Sequence, residues 1–271
     1  MPKRDLYFSK PLINAAGFLG FMPNGNNAPI LEHLQAWGGL GAFVTDPISY
    51  LPRPLLAQPA WLATDGGMLM HNGLPSAGFW QTLKVAQRKW DASPLPIIPH
   101  LLCEDVERTL KMVCALERME SVMAVELGLP LYRQEMANAF LDAMPSLTVE
   151  MPLIVNLPIG LADWYGERFI RKGASAISLR PPRGRFVPLP GTAAASEESH
   201  SESETETEQQ AAVSGRLYGG QVFAQAAEVV YRACKAGVPV IAAGGFDSPE
   251  KIAWAVAEGA LAVQVDLPCW D

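Results

Sequence analysis

Eight short apolar runs in this chain end in residues that can do chemistry. Asn14, Asp46, His100, Glu126, Asn156, Arg180, the pair Gly244-Gly245, and Asp266 stand one after another at the C-terminal ends of those runs. Taken singly, each polar residue reads as a cap for the loop that follows. Taken together, converging from separate strands, they read as a polar pocket. Arg180 carries a planar fork that matches a carboxylate. His100 is the group able to move a proton near neutral pH, although a hydrogen-bonded histidine at a strand end is the plainer reading. Gly244-Gly245 precedes Ser248-Pro249-Glu250, an N-cap, a first-turn proline and an early acid. Backbone N–H groups at such a helix start form a phosphate cradle, or merely a tight turn. Asp46, Glu126 and Asp266 on separate strands suit Mg²⁺ or Mn²⁺, but no spacing supports a metal and none is assigned. HExxH, the P-loop and the GxSxG elbow are all absent.

Elements that would position these groups follow from periodicity. In residues 214–266, Val222, Ala226, Val229, Val230 and Ala233 recur at helical spacing, and Gly237 stops the helix. Val238 to Ala242, between Gly237 and Gly244, and Leu261 to Val265, after Gly259, are short apolar runs, the pattern of strands buried on both faces. Strand, glycine loop, helix and strand make a βαβ unit. The same alternation repeats upstream, with strands expected at 12–15, 42–45, 95–101, 122–127, 153–157 and 174–179. Eight strands separated by helical pattern predict a single (β/α)₈ TIM-barrel domain over 1–271.

Two segments break the rhythm. Residues 47–75 read as a long Pro-rich loop, and residues 181–213 as an insertion after the sixth strand. Within the insertion, 196–210 is a low-complexity acidic tract with no apolar residue to bury, and disorder is expected there. The chain stops soon after the eighth strand, without the helix that would complete a barrel. A homo-oligomer or a partner subunit covering that seam is the corresponding expectation.

Composition narrows the function class. Of 271 residues, 49% are hydrophobic and 18% charged, and the formal net charge of −7 comes with no basic stripe. Nucleic acid is therefore not an expected partner. No apolar run approaches the roughly 20 residues of a membrane span, so no membrane is expected either. Cys103, Cys114, Cys234 and Cys269 lack CxxC spacing and read as reduced thiols, which points to the cytoplasm.

Several stretches are similar to the dihydroorotate dehydrogenase family, class 1 in particular. They are Lys10-Pro11-Leu12-Ile13-Asn14-Ala15-Ala16-Gly17, Gly41-Ala42-Phe43-Val44-Thr45, Asn72-Gly73-Leu74-Pro75 with Gly78-Phe79, the loop expected at 215–219, and the AAGGF and GALAVQV runs. The resemblance implies an FMN-dependent barrel that oxidises a small-molecule substrate, dihydroorotate, to orotate in pyrimidine synthesis. It implies that Ala15, Ala16 and Gly17 lie near the flavin ring, and Gly219, Gly244 and Gly245 near the ribityl phosphate. Asn72 and Arg180 are its substrate-binding candidates; Asp46, His100 and Arg180 are the catalytic ones.

Departures from the family pattern fall on the groups that matter most. Thr45 is followed by Asp46 where the family places a lysine. Asn156 stands at the position of a flavin-contacting lysine. Glu126-Leu127-Gly128-Leu129-Pro130 replaces the segment that supplies a cysteine or serine base. Met70 falls where a substrate asparagine is usual, although a shift of two restores Asn72. Asp266-Leu267 replaces Gly-Thr near the phosphate. Asp46 and Asp266 would set carboxylates against an anionic flavin and its phosphate, an unfavourable arrangement at low dielectric. Authentic dihydroorotate oxidation is therefore expected to be lost. Two alternatives remain: a non-catalytic binding or assembly subunit, and a metal-assisted lyase or aldolase-type barrel.

Overall fold

A computed structural model describes residues 6–23, 28–131, 134–147, 150–186 and 212–266. Strands form where the apolar runs predict them. They are β1 (Leu12–Asn14), β2 (Phe43–Val44, resuming as Ile48–Ser49), β3 (Ile97–Ile98 and His100–Leu102), β4 (Val125–Gly128), β5 (Leu153–Pro158), β6 (Ala176–Arg180), β7 (Val240–Ala243) and β8 (Ala262–Val265). Neighbours pair in parallel around a ring. Phe43 faces Ile97, His100 faces Glu126, Val125 faces Leu153, Ala176 faces Ile154, Ile177 faces Val240 and Ile241 faces Ala262. Leu12 opposite Val263 and the bridge between Ile13 and Ala42 close it. The result is an α/β fold of TIM-barrel type.

Seven helices stand among the described residues: α1 (Ala28–Ala36), α2 (Phe79–Asp91), α3 (Val106–Leu116), α4 (Gln134–Leu147), α5 (Ala162–Arg171), α6 (Phe223–Lys235) and α7 (Pro249–Glu258). Their ends follow local chemistry. Asp105 caps α3 by accepting from Arg108 N at 2.8 Å, and Ser248 caps α7 by accepting from Lys251 N. Gly259 stops α7 in the left-handed conformation, φ 113°. None of the described helices is long and apolar enough to cross a membrane.

Two apolar layers hold the barrel together. Trp90, Phe43, Phe140 and Phe169 are fully buried between the strands and the helices. Inside the ring, Ile13, Val44, Ile98, Ala124, Ile154, Ala176, Ile241 and Ala262 form a separate layer fed by every strand run. Full burial of each large side chain contributes about 1.5–3 kcal/mol. Since side chains alternate along a strand, this layer fixes which residues point inward one step higher, toward the C-terminal mouth.

The two presumed loops contain strands. Ala60–Thr64 and Gly67–His71 form a hairpin, and Arg183–Phe186 pairs with Val213–Gly219, which in turn pairs with the hairpin. The resulting four-stranded antiparallel sheet brings Tyr218 and Arg216 to the barrel mouth. Asp65-Gly66 supplies the turn, with Gly66 at φ 75°, a hairpin signal that the Pro-rich surroundings masked. The expected loop at 215–219 is accordingly part of a strand. The acidic tract 196–210 and the segment after β8 lie outside the described residues.

Candidate functional site

One step above the apolar layer, five of the eight strands present a buried polar side chain. His100, Glu126, Asn156, Ser178 and Gln264 each come two residues after an inward-facing apolar residue, and each is at most 5% exposed. They are joined in one network. Glu126 Oε2 meets His100 Nδ1 at 2.5 Å, and Glu126 Oε1 accepts from Gln264 Nε2 at 2.8 Å and from the Ser178 hydroxyl. Asn156 Nδ2 donates to Ser178 Oγ at 3.0 Å. Burial by itself raises the Glu126 carboxyl. The His100 ring and the hydrogen bonds from His100, Ser178 and Gln264 outweigh that and hold it below its ordinary value. An ionised Glu126 accepts only, so the hydrogen on His100 is assigned to Nδ1. That leaves Nε2 directed at Gly128, where an added Cβ would stand 2.8 Å away.

Arg180, at the end of β6, closes this layer from above. Nε donates to Asn156 Oδ1 at 2.8 Å, and Nη2 donates to the carbonyls of Asn156 at 2.6 Å and Leu129 at 3.0 Å. Burial, then the neighbouring Arg216 guanidinium, pulls the Arg180 pKa down to about 9, which still leaves it protonated at neutral pH. Arg216 and Tyr218 on the side sheet complete the roof, and burial pushes the Tyr218 phenol up.

Some of the sequence-derived candidates converge here. His100, Asn156, Arg180, Ala15, Ala16, Gly244 and Asp266 line one small cavity at the mouth. Asp46 does not line it. β2 is interrupted between Val44 and Ile48, and the Asp46 carboxylate turns to the β1–α1 loop, where Oδ1 accepts from Gly20 N at 3.1 Å. Burial raises the Asp46 carboxyl above its ordinary value, opposed by hydrogen bonds from Gly20 and Gly17. Gly17 belongs to that same loop. Asn72 sits beside a neighbouring cavity with Arg183 and Arg216, and its Oδ1 accepts from Leu74 N at 3.0 Å to hold the turn. Ser178, Gln264, Arg216 and Tyr218 were not singled out by sequence. Among the described residues, no three His, Cys, Asp or Glu groups come together in a way that could hold a metal ion.

Flavin mononucleotide does not fit this mouth as it stands. The cavity measures about 30 Å³, whereas pockets for ligands of drug size run to about 300–1,000 Å³. The chain packs tightly around Gly244 and Gly245, on the side where a Cβ would stand. At Gly245, φ 77°, a Cβ would lie 2.6 Å from Gly219 O and 2.8 Å from Phe223 N. At Gly244 it would meet Val222, Ala226 and Ile159 side chains. Asp266, buried at the end of β8, adds a carboxylate where a phosphate would need donors.

No protein-family model matches the sequence. Over 182 residues the chain is 27% identical to a putative dihydroorotate dehydrogenase A (fumarate) from Aeropyrum pernix. The match covers 64% of this chain and 55% of that protein, so the chain spans about half the length of its curated relative. Among solved structures, DHODH from Eimeria tenella, in complex with ferulenol, superposes with a TM-score of 0.61 at 16% identity. That superposition takes in 96% of this chain and 76% of the other, and it speaks for the fold alone. The sequence match and the shared barrel together support a relationship between this chain and the dihydroorotate dehydrogenase family.

Proposed function

We propose that this chain is a dihydroorotate dehydrogenase-like barrel, of FMN-oxidoreductase ancestry, that has lost dihydroorotate oxidation and keeps the arginine-lined groove beside its mouth as a binding site for a small anionic molecule. The observation that carries this reading is the pair of guanidiniums Arg180 and Arg216, which line both the mouth of about 30 Å³, too small for a flavin ring, and the open groove of about 1020 Å³ beside it. The proton-transfer groups agree. Cys103 lies in the adjoining groove, but burial pushes its thiol up to about 12, so it is no base at neutral pH. The His100–Glu126 pair is committed to the interior network. Asn156, where the family has a lysine, accepts from Arg180 instead of carrying a charge. On this reading pyrimidine biosynthesis is the ancestral setting and the cytoplasm the working compartment, where thiols stay reduced.

The test is an absorbance spectrum of the freshly purified protein, followed by FMN titration monitored by thermal unfolding. A colourless protein whose melting does not shift is the expected result. A yellow protein, or one stabilised by FMN at micromolar concentration, would return the chain to the flavin oxidoreductases.

A further inference from the structure

Arg180, Arg183 and Arg216 gather at the mouth without a carboxylate partner among the described residues. On the side sheet, Arg183 and Arg216 are direct cross-strand neighbours. Such pairs bring Cβ atoms to roughly 4.5–5.5 Å, and like charges placed there are unfavourable. Arg180 stands close enough for Arg216 to depress its pKa. None of these three forms an ion pair among the described residues, although eleven ion pairs are present elsewhere.

These arginines also share an open groove. A space of about 1020 Å³ runs along Gly73 and Leu74, the Gly128-Leu129-Pro130 turn and the side sheet. Five arginines line it against two carboxylates, Glu104 and Asp105. Both acids are engaged by Arg53 and Arg108 at 3.2–3.4 Å, which leaves Arg180, Arg183 and Arg216 unmatched. In a chain of net charge −7, this is a local excess of positive charge. An adjoining cavity of about 290 Å³ beside Asn72 is also lined by Arg183 and Arg216.

We infer that this arginine rim binds a phosphorylated small molecule, whose phosphate lies between Arg183 and Arg216 and whose second anionic group reaches Arg180. The inference rests on the anion-binding reading of the groove and narrows it to one ligand class. Phosphate fits better than carboxylate for a physical reason. Its several oxygens and near-double charge accept paired N–H groups from two guanidinium forks at once, whereas one carboxylate saturates one fork. A bridging dianion turns the repulsion between Arg183 and Arg216 into attraction, and the linked second group draws on Arg180. The site differs from the Gly244-Gly245 cradle, which does not line this groove.

Calorimetric titration of the full chain with inorganic pyrophosphate at low ionic strength tests the assignment. Saturable binding is expected, weakened at least tenfold in Arg183→Gln and in Arg216→Gln. Arg88→Gln, exposed in the last turn of α2 and lining neither cavity, removes the same charge and should leave the affinity within twofold. Should Arg216→Gln fail to fold, Arg183→Gln at its exposed position carries the test. Three outcomes overturn the inference: no saturable pyrophosphate binding, an equal loss in Arg88→Gln, or succinate binding as tightly as pyrophosphate. Uptake of FMN, read by its visible absorbance, sinks the underlying reading separately and leaves the pyrophosphate measurement to be judged by itself.

Discussion

The barrel interior and the side-sheet rim both gather polar groups and treat them in opposite ways. Inside, Glu126 is the single carboxylate of the layer, and His100, Ser178 and Gln264 all turn to it. Above it, Arg183 faces Arg216 across a ladder, with Arg180 nearby and none of the three in an ion pair among the described residues. The difference follows from solvent. An unpaired charge in a dry interior costs several kcal/mol, so the interior must be internally matched. On the rim, exposed Arg183 and half-buried Arg216 reach water and salt, which screen the mismatch and allow it to persist. A matched network has nothing left to offer a ligand; a tolerated mismatch does.

The largest way to break this contrast is to remove the interior acceptor. Glu126→Ala strands three donors around a void and should cost about 3–5 kcal/mol, measured by chemical denaturation. Glu126→Gln keeps the volume and one acceptor oxygen and should cost less. The two buried carboxylates should also separate by pH. Glu126 sits below its ordinary 4.5 in the folded state, so its stabilisation is present above that value and is lost as pH falls through the lower folded pKa. Asp46 sits above its ordinary 3.8, so its folded form gains stability as pH falls from the raised value toward 3.8. In stability–pH curves, Glu126→Gln should flatten the acid-side loss and Asp46→Asn should remove the opposing gain. A Glu126→Gln curve that tracks the parent through that window would refute the network's role.

A smaller effect is expected at the seam between layers. Gly128→Ala puts a methyl 2.8 Å from His100 Nε2 and 3.1 Å from Leu101 O. His100 is fixed by Glu126 and cannot swing away freely, so the substitution should cost about 1–3 kcal/mol. In Gly128→Ala/Glu126→Gln the ring is released, and the two costs should sum to more than the double variant shows.

How much of this was legible in the sequence depends on phase and on turns. Strands and helices were readable because glycine, proline or polar residues bound each apolar run and helical spacing filled the gaps. His100, Glu126 and Asn156 were found as strand ends, yet they lie inside the barrel because the strands run on to Leu102, Gly128 and Pro158. Ser178 and Gln264 obey the same rule, two residues beyond Ala176 and Ala262, and strict period-two reading would have found both. Asp46 defeats that reading, since the break in β2 between Val44 and Ile48 changes the phase and sends its carboxylate to Gly20. Arg216 was hidden for another reason: its strand depends on the hairpin turning at Asp65-Gly66, some 150 residues earlier in the chain. Pairing at that separation leaves no local trace beyond the turn itself.

The smallest predicted effect bears on the rim directly. If Arg183 and Arg216 repel across the ladder, Arg183→Gln should stabilise the ligand-free protein by a few tenths of a kcal/mol at low salt. The sign is unusual, because most substitutions destabilise. It should fade toward zero as ionic strength rises and the Debye length shrinks to about 3 Å at 1 M. Pyrophosphate should reverse it: at saturation the parent, with both forks occupied, becomes the more stable of the two, by an amount set by its tighter binding. Thermal unfolding of parent and Arg183→Gln at two salt concentrations, with and without pyrophosphate, gives all four corners. A variant that is destabilised at low salt without ligand would mean that the two guanidiniums do not repel in the free protein, and the rim would then be as internally balanced as the barrel beneath it.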